Sequence, residues 1–183
     1  MSLSVWLGFL LAAILIAVTP GPGAVISMSS GLRYGYRAAL RAILGLQTAI
    51  LLHLLIVAVG FGALLATSEL AFDLMKFGGA AYLVWLGIQR WRAPVEVIDA
   101  EAVQAPLKSL YLQGVLVNLT NPKAVVFIAA LVPQFIDARQ EQLTQYLLVA
   151  TTLCLTDILV MSIYALAATR IAPWLRDPQA MRR

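Results

Sequence analysis

Cysteine, histidine and charged residues are all scarce in this chain of 183 residues. It has one cysteine and one histidine, and 12% of its residues are charged. One cysteine allows no disulfide framework and no thiolate metal site, so we expect no cofactor and no metal. The charged share is about half that of a soluble domain. The scarcity of charged residues excludes a soluble enzyme, a disordered chain and a nucleic-acid-binding protein.

Sequence motifs of enzymes are missing as well. The chain has no GxxxxGK[ST] phosphate loop, no HExxH and no nucleophile elbow. We therefore expect neither ATP hydrolysis nor any other enzymatic activity.

Apolar residues make up 61% of the chain, and the mean hydropathy is +0.87. A helix needs about 20 apolar residues to cross a bilayer. Runs of this kind predict an all-α polytopic membrane protein whose single domain covers residues 1–183. Its five transmembrane helices are expected at about residues 3–30, 42–66, 74–90, 112–132 and 146–168.

Cationic residues are concentrated in alternate connecting segments. They are Arg33, Arg37 and Arg41 after the first span, Arg90, Arg92 and Lys108 after the third, and Arg170, Arg176, Arg182 and Arg183 in the tail. Lysine and arginine are enriched in cytoplasmic loops. The distribution predicts that residues 31–41 and 91–110 are cytoplasmic and that the N-terminus lies outside.

Two of the predicted spans are interrupted at matching places. TPGPG at residues 19–23 follows a short apolar run, and TNPK at residues 120–123 interrupts the fourth span. Each break has a threonine, a proline suited to open a new helix, and then Ala-Val. Non-helical backbone at membrane depth persists only inside protein or beside a watery cavity. Spans one to three and four to six would form inverted repeats, so either a sixth span is missing from this sequence or the protein works with five spans.

Paired breaks in two inverted halves predict the substrate site of a transporter. The positive ends of the new half-helices are suited to hold a carboxylate. The alternative is that both prolines only kink packed helices. The candidate substrate-binding residues are Thr19, Pro20, Gly21, Pro22, Gly23, Gln47, Thr48, Asn118, Thr120, Asn121, Pro122 and Lys123.

Ionisable and polar side chains inside the spans are the other candidates. Asp157 lies in mid-span, where insertion of a charge into the membrane costs at least ~2.5 kcal/mol. Its carboxylate either carries a proton or binds an amine in the function of the protein, or it is a hydrogen-bonded packing residue. His53 is a proton relay or a core residue. Lys123 either neutralises Asp157, binds a carboxylate or extends to the membrane surface. Gln47 and Thr48 either bind the substrate or form hydrogen bonds between helices.

Four phrases of the sequence resemble one known family. They are TPGPG at residues 19–23, GLQT at 45–48, KFGGAAYLVWLGIQRWR at 76–92 and VNLTNPKAVVFIAALVPQF at 117–135. All four are similar to the LysE/RhtB amino-acid exporters, and within that family to those that export homoserine and its lactone. The likeness runs along essentially the whole chain.

The resemblance implies a secondary exporter of homoserine, homoserine lactone or threonine in the bacterial inner membrane. Its partners would be the amino acid, protons for exchange, the lipid bilayer and a second copy in a homodimer. Members of the family usually have six hydrophobic segments. The alternatives are export of another amino acid, such as leucine or a basic one, and a membrane scaffold subunit without transport of its own.

Overall fold

The structure is a computed structural model, and it describes residues 1–67, 77–78, 81, 84–85, 88, 109–137 and 139–176. Within these ranges every regular element is a helix. The predicted third span, at 74–90, and the loop at 91–110 lie almost wholly outside the described residues, as does the tail after residue 176.

The first predicted span is a bent pair of helices. Helix α1 (Leu3–Val18) begins after the cap Ser2, and α2 (Pro22–Tyr34) meets it at 55°. Pro22 is the first residue of α2, where its missing N–H costs nothing because that position has no intrahelical acceptor. Gly35 ends α2 with a φ of 82°, a backbone conformation that favours glycine.

Two long helices are uninterrupted. Helix α3 (Tyr36–Thr67) starts directly after the glycine that ends α2, which places its beginning before the predicted residue 42. Helix α6 (Gln142–Arg176) is the last described element. Their apolar stretches, Tyr36–Gly60 and Gln142–Ala172, comprise 25 and 31 residues. At 1.5 Å per residue, each exceeds the roughly 30 Å of a bilayer's hydrocarbon core.

The predicted fourth span is a second bent pair, again with an angle of 55°. Helix α4 (Leu110–Leu119) is followed by α5 (Pro122–Val126). The latter continues as a π-helical turn, Phe127–Leu131, and a 3-10 turn, Val132–Phe135. Pro133 lies in the last turn and has no N–H to donate to the preceding one, which explains why regular α geometry is not kept there.

Helices α3 and α4 cross at very short range through two glycines. A Cβ atom on Gly45 would overlap the carbonyl of Tyr111, and one on Gly114 would overlap the carbonyl of Ala42. Small residues permit this close backbone approach, on which helix packing in membranes depends. The crossing fixes α4, and therefore the second break, against α3.

The buried apolar side chains form two clusters. The aromatic cluster comprises Phe9, Ala13, Ile50, Leu54, Phe127, Ile128, Val132, Ile136, Val149 and Leu153. The alanine-rich cluster comprises Ala24, Ile26, Ala38, Ala39, Ala42, Ile43, Leu46, Leu110, Met161 and Ala165. The ring of Phe9, in the aromatic cluster, packs edge to face against the ring of Phe135, with the ring centroids 5.2 Å apart.

The two ends of the bundle differ in charge. At one end the N-terminal amine of Met1 donates to Oε1 of Gln140 across 3.3 Å. At the other, the hydroxyl of Thr169 in α6 donates to the carbonyl of Gly31 in α2. That second end gathers the exposed arginines Arg33, Arg37, Arg41 and Arg170.

The predicted class, an all-α polytopic membrane protein, is confirmed. In the part of the chain that the structure describes, two helices are long and apolar enough to cross a membrane, and four spans result if each bent pair counts as one. Large apolar side chains such as Leu55 and Leu159 are exposed on the long helices, as lipid-facing residues are. The inverted repeat, the five sets of span boundaries and the sixth span stay predictions.

Candidate functional site

A cavity of about 60 Å³ lies where the two breaks meet α3 and α6. This volume accommodates on the order of four to six water molecules. Its polar and glycine lining residues are Gly21, Gly23, Asn118, Asn121, Lys123 and Asp157. The other lining residues are apolar.

At the first break, the carbonyls that end α1 are bound by side chains from elsewhere. The last carbonyls of a helix have no intrahelical partner. The hydroxyl of Tyr164, on α6, donates to the carbonyl of Val18 at 2.6 Å. Nζ of Lys123, on α5, donates to the carbonyl of Thr19 at 2.5 Å. The first break is therefore held by two later parts of the chain.

The N-terminus of α2 faces the same cavity without a side-chain cap. Its N-cap residue is Gly21, and the first backbone bond of the helix is from the N–H of Val25 to the carbonyl of Gly21. The N–H groups of Gly23 and Ala24 precede that bond and belong to residues that line the cavity. The start of a helix carries a partial positive charge, so this edge of the cavity favours an anion.

At the second break, two buried asparagines satisfy each other and the backbone. Nδ2 of Asn118 donates to the carbonyl of Leu46 at 3.0 Å, and its Oδ1 accepts from Nδ2 of Asn121 at 3.3 Å. Oδ1 of Asn121 accepts from the backbone N–H of Lys123 at 3.1 Å, which caps α5. Both asparagine side chains thus stabilise the break itself.

Asp157 lies near the middle of α6 and lines the cavity together with residues of both breaks. Its Oδ2 accepts from Nε2 of the buried Gln47 at 2.7 Å. The same nitrogen donates to the carbonyl of Ile43, which orients the amide. Lys123 lines the cavity too, and its opposite charge acts on Asp157. A carboxylate at membrane depth is costly unless it is partnered in this way.

The three polar residues of α3 that the sequence singles out, Gln47, Thr48 and His53, all lie outside the cavity lining. Gln47 bonds to Asp157, which does line it. The hydroxyl of Thr48 contacts the hydroxyl of Tyr111 at 2.8 Å, on the side of α3 that faces α4. His53 interacts with the backbone of Leu119. The structure therefore brings Gln47, but neither Thr48 nor His53, to the carboxylate of Asp157.

The break residues also divide into two groups. Gly21 and Gly23 line the cavity, whereas Pro20 and Pro22 shape the backbone without lining it. The hydroxyls of the threonines bond within their own helices. They are Thr19, which donates to the carbonyl of Leu15, and Thr120, which donates to that of Leu116. Pro122 opens α5 and also lies outside the lining.

Tyr164 and the apolar walls of the cavity were not identified as functional from the sequence. Tyr164 follows Asp157 by seven residues, a spacing that places both on one face of a helix. The helical register is the signal that could have placed Tyr164 near Asp157. The register does not show which carbonyl the hydroxyl binds, because α1 and α6 are about 140 residues apart.

Comparison with known proteins decides the family. The model of the LysE type translocators matches residues 14–183. The chain belongs to the LysE type translocator family. The family that the four sequence phrases indicated is thereby confirmed, and with it the prediction of a membrane transport protein.

Individual relatives cover most of the chain. It is 44% identical over 178 residues to the homoserine/homoserine lactone efflux protein of Salmonella typhimurium, an alignment that spans 97% of this chain and 86% of that protein. It is 46% identical to an uncharacterized membrane protein of Vibrio cholerae, with 100% and 90% covered. The leucine efflux protein of an Enterobacter species is 27% identical, with 96% and 84% covered. No solved structure is significantly similar.

Proposed function

We propose that this LysE-type translocator exports homoserine, homoserine lactone or threonine across the bacterial inner membrane in exchange for protons. The observation that carries the proposal is the cavity between the two breaks, which holds Lys123 and Asp157 together. Its volume suits a small amino acid and is too small for a peptide or a nucleotide. The efflux relative from Salmonella supports the choice of substrate.

The cavity offers complementary groups to both ends of a zwitterion. A substrate carboxylate fits between Nζ of Lys123 and the free N–H groups at the start of α2, because both favour negative charge. The ammonium group fits against the carboxylate of Asp157. A lactone retains the ammonium group and presents a carbonyl oxygen as acceptor in place of the carboxylate.

Proton exchange arises because a proton and the substrate amine compete for the carboxylate of Asp157. The ionised carboxylate binds the substrate amine, and protonation removes the charge that holds it. Gln47 stabilises the ionised state, because its Nε2 donates to the carboxylate. The bond from the same nitrogen to the carbonyl of Ile43 holds the amide in this orientation. We assign coupling to Asp157 rather than His53, since His53 does not line the cavity.

The proposed orientation uses the charge difference between the two ends of the bundle. The exposed arginines Arg33, Arg37, Arg41 and Arg170 lie at one end, which the positive-inside rule makes cytoplasmic. Met1 and Gln140 then lie outside. Labelling of single introduced cysteines with a membrane-impermeant reagent tests this, and crosslinking in the membrane tests the proposed homodimer.

The test of function is transport by the purified protein in liposomes. Labelled homoserine should move against its gradient when a proton gradient is imposed, and wild-type protein that moves no homoserine would contradict the proposal. A panel of labelled amino acids separates this function from export of leucine, which the Enterobacter relative suggests, or of a basic amino acid. Transport of none of them favours a scaffold.

The test of coupling is Asp157→Asn, which keeps the size and hydrogen bonding of the side chain but cannot ionise. Homoserine transport driven by the proton gradient should fall at least about ten-fold, the equivalent of one charged hydrogen bond. Glu141→Gln is the matched control, because Glu141 is exposed just before α6 begins and lies outside the cavity lining. A full response to the gradient in Asp157→Asn would remove Asp157 from the mechanism.

A further inference from the structure

One wall of the cavity is apolar and belongs to the aromatic cluster. It consists of Ile50 from α3, Phe127 and Ile128 from the π-helical turn, and Leu153 from α6. All four side chains are at least nine-tenths buried. We call these four residues the apolar wall.

The apolar wall stands directly beside the charged groups of the cavity. Leu153 precedes Asp157 by four residues, so it lies one helical turn from the carboxylate on the same face of α6. Phe127 follows Lys123 by the same interval on the other side of the cavity. A ligand held at Lys123 and Asp157 therefore contacts the wall with whatever it carries beyond its charged groups.

The side-chain amides of Asn118 and Asn121, beside the apolar wall, already form hydrogen bonds within the protein. Both amide groups of Asn118 and Asn121 are engaged with the carbonyl of Leu46, with the N–H of Lys123 and with each other. A substrate hydroxyl could bond only to the hydrogens and lone pairs that these amides have left, and the break sets where those point. None of the four side chains of the apolar wall has a polar group that could bind a hydroxyl.

We infer that this site, if it works as the proposed exporter, selects neutral α-amino acids by the size of the side chain and does not require a hydroxyl group. The two charged groups hold the amine and the carboxylate, and the apolar wall receives the side chain. The substrate class is then that of short, uncharged side chains, with homoserine as one member and norvaline, its methyl analogue, as another.

A site that hydrogen-bonds a hydroxyl and a site that receives a side chain in an apolar pocket differ widely in how strongly they discriminate between homoserine and norvaline. A site built to hydrogen-bond a hydroxyl rejects the analogue without it by about 10⁴-fold or more, whereas an apolar pocket distinguishes such a pair by about 10²-fold at most. Norvaline has a methyl group where homoserine has its hydroxyl. The ratio of their transport rates therefore distinguishes the two kinds of site.

The experiment measures kcat/KM for labelled homoserine and norvaline with the protein in liposomes. Norvaline should be transported at least as well as homoserine, because burial of its methyl group in the apolar wall carries no polar cost. A norvaline rate 10³-fold or more below that of homoserine overturns the inference and leaves the proposed export of homoserine intact. Transport of neither compound contradicts the proposed function itself.

A second variant tests the wall directly. Leu153→Ala removes three carbons beside Asp157 and should shift the preference from norvaline toward the longer norleucine by about ten-fold, the effect of one methylene in an apolar pocket. Leu155→Ala is the matched control, because Leu155 is 63% exposed on the same helix. An unchanged preference in a folded Leu153→Ala protein would show that the side chain does not contact the wall.

Discussion

The two helix breaks have the same 55° bend but are stabilised in different ways. At the second break, Asn118 and Asn121 bond each other and Asn121 caps the helix that follows. At the first, the N-cap is a glycine without a side chain, and the carbonyls of Val18 and Thr19 depend on Tyr164 and Lys123. The second break is stabilised mainly by its own asparagines, with one bond from Asn118 to Leu46 of α3. The first relies on side chains of α5 and α6.

This difference indicates a division of roles. The second break uses its two asparagine side chains for its own structure, so we expect it to act as a rigid support. The first break places Gly23 and Ala24, from the uncapped start of α2, in the cavity lining. Its carbonyls are bound by side chains that a ligand can compete for, since Lys123 reaches both the cavity and Thr19. We therefore propose that the first break is the part of the site that responds to substrate.

The largest effect is expected from Lys123→Met, since Lys123 is part of the second break and binds the first. Loss of a charged hydrogen bond worth about 1.5–3 kcal/mol should lower kcat/KM for homoserine by about 10- to 100-fold. Lys123→Arg, which keeps the charge, should retain more of the transport activity. Equal activity of Lys123→Met and wild type in liposomes would show that the link between the breaks is dispensable.

An intermediate effect is expected from Asn121→Ala, which removes the cap of α5 and a donor to the buried Asn118. The cap contributes about 1 kcal/mol and the unsatisfied Oδ1 of Asn118 adds about 1–3 kcal/mol, so thermal unfolding in detergent should occur at a clearly lower temperature. Thr120→Ala is the control, because the exposed Thr120 bonds only within its own turn. Equal melting temperatures for both variants would remove the local stabilisation attributed to the second break.

The smallest effect on stability is expected from Tyr164→Phe, which removes only the hydroxyl that binds the carbonyl of Val18. Polar bonds between membrane helices contribute about 0.6 kcal/mol on average. Tyr111→Phe is the control, since it loses a comparable bond to Thr48 away from the breaks. Both variants should melt alike, whereas only Tyr164→Phe should change the KM for homoserine. An unchanged KM would show that the first break does not respond through Tyr164.

Much of the architecture could be predicted from local sequence. The apolar runs indicated a polytopic membrane protein, and the proline and glycine residues at 19–23 and 120–123 indicated where two helices break, because proline lacks the N–H that a continuous helix needs. Asp157 and Lys123 were candidates because charge is rare in a bilayer. These inferences needed no knowledge of how distant segments pack.

The composition of the site was harder to predict. Asn118 and Asn121 are predicted to contact substrate, and both line the cavity. Their amides also bond within the break and to the carbonyl of Leu46, which the sequence does not indicate. Tyr164 has no distinctive sequence signal, since a tyrosine near the end of an apolar run is ordinary in a membrane helix. Its relation to Val18 arises only once α1 and α6 are packed together.

The sequence by itself determined that the chain is a helical membrane protein with two broken spans and charged groups at membrane depth. Those properties follow from hydropathy and from backbone hydrogen bonding, which act over a few residues. Only the tertiary structure decided that both breaks and Asp157 meet at one cavity beside an apolar wall, and that Gln47 bonds to Asp157. The register in which long helices pack depends on side chains far apart in the chain, such as the glycines that bring α3 and α4 into contact.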